Sequence, residues 1–596
     1  MRAALVVACA VLSTRALAQP TDTTQEAKAF LEIAESRLST AEDLSNAAEW
    51  VRATNITPDT DWLAERLDAD RTQLAVSLAL EAQRFDGKVH DPVLARKLII
   101  LKRLASVPSS SSPEAVMRLA EVSGRLSTRY ATGSFMLEGK RYSLKDAELA
   151  LARVREPQES AAIWEGWRSI TPPMRKDYAQ MVSLANAGSQ QLGFKDVGAM
   201  WRSGYDVTPD AFERQIEVLW GQVAPLYDEL HCYTRRRLNA RFGDSVQPAS
   251  GAIRADLTGN MWGQNWSEIW DILAPADWVA GFDLEQSLKA NGYDPSKMVT
   301  AAEGFYTSLG LQPLPATFWA RSQFVRPEGR DVDCNSSAWT IDQHNDVRVK
   351  LCLRVAASEW SVVHHELGHV YYQLAYQDQP FLFREGVNNG FHEAIGDFIA
   401  LSAVTPGYLK RLGLEPADFP DDRGDLPFLL HQALNRIPLL AFALALDEWR
   451  WGVFSGKILP ADYNRAWWTL VERYQGLRPP RPRPEDAFDV AAKYHVTDNV
   501  PYMSYFMATV YLYQFQRAAC RIAGAPGPLH RCSIYGNKDV GTKLGKMLAS
   551  GRSLSTAQTL ALFTGEEKAD ASAILEYYAP LYRWLKQQNA AQRCAQ

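Results

Sequence analysis

An excess of charge is the first thing this 596-residue chain lacks: 64 Lys and Arg stand against 69 Asp and Glu, a formal net charge of −5. Nucleic acid selects dense positive charge. The densest basic run, Arg478-Pro-Pro-Arg-Pro-Arg-Pro484, is interleaved with proline and reads as a solvated loop. Long apolar runs are missing too. The internal stretch Ile437 to Leu446 is ten residues, about half of what a bilayer crossing needs, so no membrane anchor is expected. Strand-like alternation is scarce, with its best case at Val347 to Val355, which argues against a β-rich fold. Neither internal repeats nor low-complexity linkers occur. Histidine is sparse, ten residues in all, so a close cluster of it is informative.

Helical periodicity is what the chain has instead. Phe30, Ile33, Ala34, Ala41 and Leu44 mark one face of residues 25 to 54. The pattern predicts further helices over 61–85, 92–105, 113–130, 142–154, 175–191 and 209–241. The expected fold is mainly α, with a small sheet at 347–355. Its length exceeds one ordinary core, so two helical lobes around a cleft are expected within a single domain, residues 19–596. Residues 1–18 read as an export signal: Arg2 supplies the charge, Ala3 to Leu12 the apolar core, and Ala16-Leu17-Ala18 a small-residue cleavage site. The mature chain is thus expected in a periplasm or outside the cell. Such oxidising surroundings suit its cysteines. Cys334/Cys352 and Cys520/Cys532 are close in sequence and are disulfide candidates, which leaves Cys232 and Cys594 without an assigned partner.

His364-His-Glu-Leu-Gly-His369 contains one HExxH: His365, Glu366 and His369. On an α-helix, positions i and i+4 share a face, so both imidazoles can bind one ion, with Glu366 close enough to act on a bound water. Zinc takes a third protein ligand and keeps a fourth position open. The HxxGxxH continuation fails, because its Gly and His positions are Tyr372 and Ala375. A carboxylate on a following helix is the other solution. Gly390-Phe-His-Glu-Ala-Ile-Gly-Asp397 supplies Glu393, 24 residues beyond His369. His392 competes for the role but projects from a different helix face. Asp397, one turn beyond Glu393, is placed to orient a ligand imidazole. Arg384 to Gly390 reads as the chain reversal between the two helices. This set implies one zinc ion and hydrolytic chemistry.

Around those helices the sequence resembles the angiotensin-converting enzyme family of peptidyl dipeptidases, over nearly the whole chain. Shared blocks include Trp164-Glu-Gly-Trp-Arg168, Trp201-Arg-Ser-Gly-Tyr205, Gly259-Asn-Met-Trp-Gly-Gln264, Trp449-Arg-Trp451, Lys493-Tyr-His495 and Val500-Pro-Tyr-Met-Ser-Tyr-Phe506, in the family's order. The resemblance implies one catalytic module with a deep cleft under N-terminal lid helices, without the duplication or the membrane anchor of the long vertebrate form. It also implies a monomer that removes dipeptides from oligopeptides with a free C-terminus. Glu366 becomes the general base, and His495 and Tyr505 the donors to the oxyanion. Lys493, Tyr502 and Gln264 become the grip on the terminal carboxylate. A related single-residue carboxypeptidase branch has arginine where Gln264 stands, so Gln264 with Lys493 favours dipeptide release.

Asn335, Ser336 and Ala338 fall in the segment that contacts the substrate backbone; Asn335 replaces a family histidine but can still donate a hydrogen bond. Vertebrate relatives hold two chlorides with arginines. Arg168 and Trp467 match one site, whose second arginine is Val471 here; Tyr205 matches the other, whose arginine is Ser504. A buried anion without its cation is costly, so chloride activation is expected to be weak or absent. The alternatives are a single-residue carboxypeptidase, an oligopeptidase of the same metal class, and a catalytically silent peptide-binding module.

Overall fold

The computed structural model describes residues 22–590 apart from 277, 279–281, 417–423 and 526. The expected export signal at 1–18 and Cys594 lie outside the described residues. The described residues are 66% helical, and their strands form three two-stranded sheets.

Helices start where the sequence supplies caps. Asp22 accepts from the Thr24 N–H at the head of α1 (Thr23–Thr54). A Thr57–Thr60 capping box opens α2 (Pro58–Ala82), and Asp91 opens α3 (Pro92–Lys102). The other expected helices are also present, at Pro113–Ala131, Leu144–Arg153, Met174–Gln191 and Pro209–Phe242. Helices α1 to α3 bury a small apolar cluster of their own with Leu382 and Phe383, beside one large continuous core.

Two short strands precede the HExxH helix. β1 (Ser337–Thr340) pairs antiparallel with β2 (Val347–Lys350), setting Ala338 opposite Val349. The strand expected to run to Val355 stops at Lys350. Beyond it the Leu351 and Leu353 N–H groups donate instead to the Gln323 and Phe324 carbonyls, an irregular neighbour that sustains no ladder. Then come α4 (Ala357–Tyr376) and α5 (Asn389–Ser402). They touch at backbone distance: a Cβ on Gly368 would lie 2.7 Å from the Gly396 Cα, and one on Gly396 would lie 2.8 Å from His365 Nδ1. Only glycine at both positions permits that approach.

The opposite side of the core is α6 (Asp425–Phe454) and α7 (Met503–Ala523), the latter packed on α5. Among the described residues, α6 is the one helix long and apolar enough to cross a membrane. The ten-residue run at 437–446 understated it; its apolar window is largely buried inside the protein, as in a core helix. Disulfides join Cys334 to Cys352 and Cys520 to Cys532, as expected. Cys232, to which the sequence reading assigned no partner, is also disulfide-bonded.

Candidate active site

The two adjacent histidines of α4 have different surroundings. His364 belongs to the core: it is fully buried, its Nδ1 meets the Trp360 carbonyl at 2.7 Å, and the Tyr306 hydroxyl donates to its own carbonyl at 2.6 Å. His365 and His369 face α5, where Glu393 joins them; the three ligand atoms lie within 4.8 Å of one another. The two Nε2 atoms are 3.0 Å apart, and His365 Nε2 is 3.8 Å from Glu393 Oε2. Two nitrogens on a tetrahedral zinc stand about 3.3 Å apart at ordinary bond lengths, so the donor set fits one such ion.

Each imidazole is backed on its far side. His365 Nδ1 lies 3.1 Å from Asp397 Oδ1, and Arg436 of α6 holds the other Asp397 oxygen at 2.6 Å. Burial alone would raise the Asp397 carboxyl, but Arg436 and His365 outweigh it and hold it well below the usual carboxylate range. His369 Nδ1 meets His392 Nδ1 at 3.1 Å, and His392 Nε2 lies 3.0 Å from Glu385 Oε1 and 3.3 Å from the Tyr376 hydroxyl. His392, the competing ligand in the sequence, thus orients His369 instead. Glu385 had no role in the sequence reading; it sits in the chain reversal, and the pattern there marked only a turn. Glu366 is 7% exposed, and desolvation pushes its carboxyl up to about 7, suited to taking and returning a proton near neutrality.

A second group gathers where the chain enters α7. His495 Nε2 is 3.4 Å from the Tyr505 hydroxyl, and the rings of His495, Tyr502 and Tyr505 pack at 4.6 to 5.5 Å. Tyr502 donates to Gln264 Oε1 at 2.9 Å, leaving the Gln264 amide nitrogen to donate elsewhere. Lys493 Nζ lies 3.7 Å above the Trp262 ring and 5.6 Å from the Tyr502 ring. Burial lowers its ammonium to about 7. Burial, with Lys493 and Arg450 nearby, holds His495 neutral by drawing it down to about 2. Burial and then Glu393 push Tyr505 up to about 12, so this group lies within electrostatic reach of the metal-ligand triad.

Two α6 residues without a role in the sequence reading hold that segment in place. Asp447 and Arg450 form a buried ion pair. Asp447 Oδ2 accepts the Tyr502 N–H at 3.0 Å and the Met503 N–H at 2.6 Å, while Arg450 Nη1 donates to the His495 and Val500 carbonyls, each at 2.7 Å.

Helix α1 reaches over the triad from the other side. Asn46 donates to the Thr340 carbonyl at 3.1 Å, and Trp50 meets Trp339 edge-on. Ala338 lines a cavity of about 280 Å³ together with His369, Glu393 and Glu42. Asn335 and Ser336 do not line it; the Asn335 carbonyl accepts from the buried Lys350 Nζ at 2.6 Å, which anchors the segment ahead of β1. At the expected chloride positions, Arg168 is buried 3.3 Å above the Trp164 ring with its Nε unpartnered. It lines a space of about 10 Å³ with Trp467, Val471 and Lys493. Tyr205 stacks on Phe212 at 4.1 Å, and the Ser504 hydroxyl donates to the Pro501 carbonyl at 3.1 Å.

A mainly helical chain that sets an HExxH helix against a following glutamate helix, each imidazole backed by its own partner, carries the donor set of the HExxH-plus-glutamate class of metal sites. More narrowly, the chain belongs to the angiotensin-converting enzyme family, peptidase M2, whose profile matches residues 21–595. It is 38% identical to angiotensin-converting enzyme of Rattus norvegicus over 554 residues, covering 91% of this chain and 42% of the rat protein. It therefore spans less than half the length of that relative. Angiotensin-converting enzyme of Theromyzon tessulatum is 36% identical, with 90% of this chain and 88% of the relative covered. The angiotensin-converting enzyme-like protein Ace3 of Mus musculus is 35% identical, covering 95% and 77%.

Proposed function

We propose that this protein is an exported, monomeric zinc peptidyl dipeptidase that removes dipeptides from oligopeptides with a free C-terminus. One observation carries the reading: contacts run from Tyr505, on which Glu393 acts electrostatically, through the Tyr502 ring and its hydrogen bond to Gln264, beside Lys493. They connect a metal-ligand triad to a grip of one cation and two neutral donors, as recognition of a C-terminal carboxylate requires.

His365, His369 and Glu393 would hold one zinc ion, which when bound polarises a carbonyl and acidifies a water. Glu366 takes the attacking water's proton and later returns it to the leaving amine. Asp397 and the His392–Glu385 pair keep the two ligand imidazoles turned so that each Nε2 presents its lone pair. Tyr505 and neutral His495 donate to the carbonyl oxygen as it gains charge. Lys493, Gln264 and Tyr502 hold the terminal carboxylate, and glutamine in place of arginine at 264 leaves room for two residues. Ala338, with Asn335 and Ser336, aligns the substrate as an added strand. Arg168, Trp467, Tyr205 and Ser504 are remnants of anion sites that catalysis here does not need.

The test is mass spectrometry of products from a decapeptide, with zinc, with chelator and with Glu366→Ala. Stepwise loss of dipeptides, abolished by chelator and by the substitution, is the expected result. Loss of single residues would make it a carboxypeptidase, and cleavage of the C-terminally amidated peptide an oligopeptidase. An uncleaved peptide with zinc bound would make it a binding module.

A further inference from the structure

We infer that Asn499 is a positioning residue for the oxyanion donor His495, acting through the left-handed backbone conformation that its turn requires; this rests on the peptidase reading above. His495 lies on a four-residue helix, Tyr494–Thr497. Its ring has less behind it than the metal-ligand imidazoles have. Their Nδ1 atoms meet Asp397 and His392, whereas His495 Nδ1 is buried without a hydrogen-bond partner. Ring packing and its own main chain therefore hold the His495 side chain in place.

That main chain is fixed by how the short helix ends. The Asp498 N–H donates to the Tyr494 carbonyl at 2.9 Å, Asn499 follows with a φ of 55°, and the Val500 N–H returns to the His495 carbonyl at 3.1 Å. A bond that reaches back over one left-handed residue to the third helical residue from the end is a common helix stop, and it usually takes glycine. Pro501 then bars any continuation. The His495 carbonyl is thus held twice, by Val500 and by Arg450 Nη1. Beyond the turn, Asp447 pins the Tyr502 and Met503 N–H groups. The left-handed residue between these two anchorages sets how His495 meets Tyr505.

Four non-glycine residues among the described ones have positive φ, and Asn499 is the buried one, at 2% exposure. Its Oδ1 is buried without a hydrogen-bond partner. Such an oxygen is a cost rather than a contact, so it does not explain the side chain. What asparagine offers is backbone: it enters the left-handed region more readily than most residues with a Cβ. A residue that resists this conformation lets the turn relax, which breaks the Val500 bond and releases His495. Tyr502 stays in the carboxylate grip, because Asp447 holds it independently.

Asn499→Gly, Asn499→Ala and Asn499→Val test this on an N-blocked tripeptide with a free C-terminus. Gly loses the whole side chain but keeps the conformation, and its kcat should stay within about twofold of wild type. Ala keeps the Cβ and resists the conformation, so its kcat is expected to fall about tenfold. Val, being β-branched, should fall further. KM and zinc content should hold in all three, since the lost interaction belongs to the transition state. Lost packing alone predicts the reverse order, with Gly the worst. If Ala or Val does not fold while Gly folds with wild-type kcat, the conformation is still the requirement. A Gly variant that fails to fold, or turns over no faster than Ala, overturns the inference, as does a loss confined to KM. If the wild type holds zinc yet releases no dipeptide, it is the peptidase reading that has failed.

Discussion

Replacing Asp447 by Asn tests whether charge holds the segment that carries His495, Tyr502 and Tyr505. The carboxylate accepts four bonds: two from Arg450 on Oδ1, and the Tyr502 and Met503 N–H groups on Oδ2. Asparagine keeps the shape but has one acceptor oxygen. Its amide nitrogen must face either the guanidinium or the two backbone N–H groups, all of them donors, so two bonds are lost whichever way it turns. Arg450, whose side chain is 0% exposed, keeps a charge with no counter-ion. Stranding one member of a buried pair costs about 3–5 kcal/mol, and the expected result is a clearly lowered Tm by calorimetry. The triad does not touch Asp447, so zinc content should be unchanged, while kcat/KM on a short substrate falls by about tenfold or more because the oxyanion donors lose their fixed position. A double variant with Arg450→Met separates charge from packing: its Tm should recover toward wild type, since no lone charge remains. An Asp447→Asn protein with wild-type Tm and kcat/KM would refute the reasoning.

Other outcomes follow from the same geometry. Lys493 is cationic below about 7 and neutral above it, so kcat/KM should fall as pH rises through that value in the empty site. Lys493→Arg, which stays protonated, should flatten this limb. Asp397→Asn is expected to weaken zinc binding about 10–100-fold, measured by competition with a chromophoric chelator. Gly396→Ala would drive a Cβ to 2.8 Å from His365 Nδ1 and should cost both zinc affinity and about 1–3 kcal/mol of stability. Activity should change little between zero and physiological chloride at constant ionic strength, because Val471 and Ser504 supply no cation. A severalfold rise would show that other cations hold an anion, either Arg168 and Lys493 or the arginines of the cavity lined by Tyr205 and Ser504.

The triad was legible in the sequence because its chemistry is local. His365 and His369 are one helical turn apart, and Glu393 with Asp397 repeat that spacing on the next helix. Periodicity likewise gave the N-terminal helices to within a few residues. The carboxylate grip was not legible in that way: Tyr502 and Gln264 meet across 238 residues of chain, and no spacing rule spans such a gap. Only the family's ordered blocks joined them. The backbone-distance approach of α4 and α5 was not legible although Gly368 and Gly396 lie inside the two motifs, because glycine in a helix reads first as a weak point rather than as a contact.

The supports on α6 were within reach of a different question. Its apolar run, Ile437 to Leu446, is bounded by Arg436 on one side and Asp447 on the other, with Arg450 a turn later. Charges on a helix that becomes wholly buried cannot stay unpaired, so each interruption of such a run points to whatever it holds. Arg436 holds Asp397 behind the metal ligand His365, while Asp447 and Arg450 hold the entry to α7. One helix thus supports both halves of the site from separate ends of one apolar run. Variants at the two ends should therefore fail differently. Asp397→Asn, which breaks the bridge to Arg436, should lose metal and recover turnover when zinc is in excess. Asp447→Asn should keep its metal and stay slow at any zinc concentration.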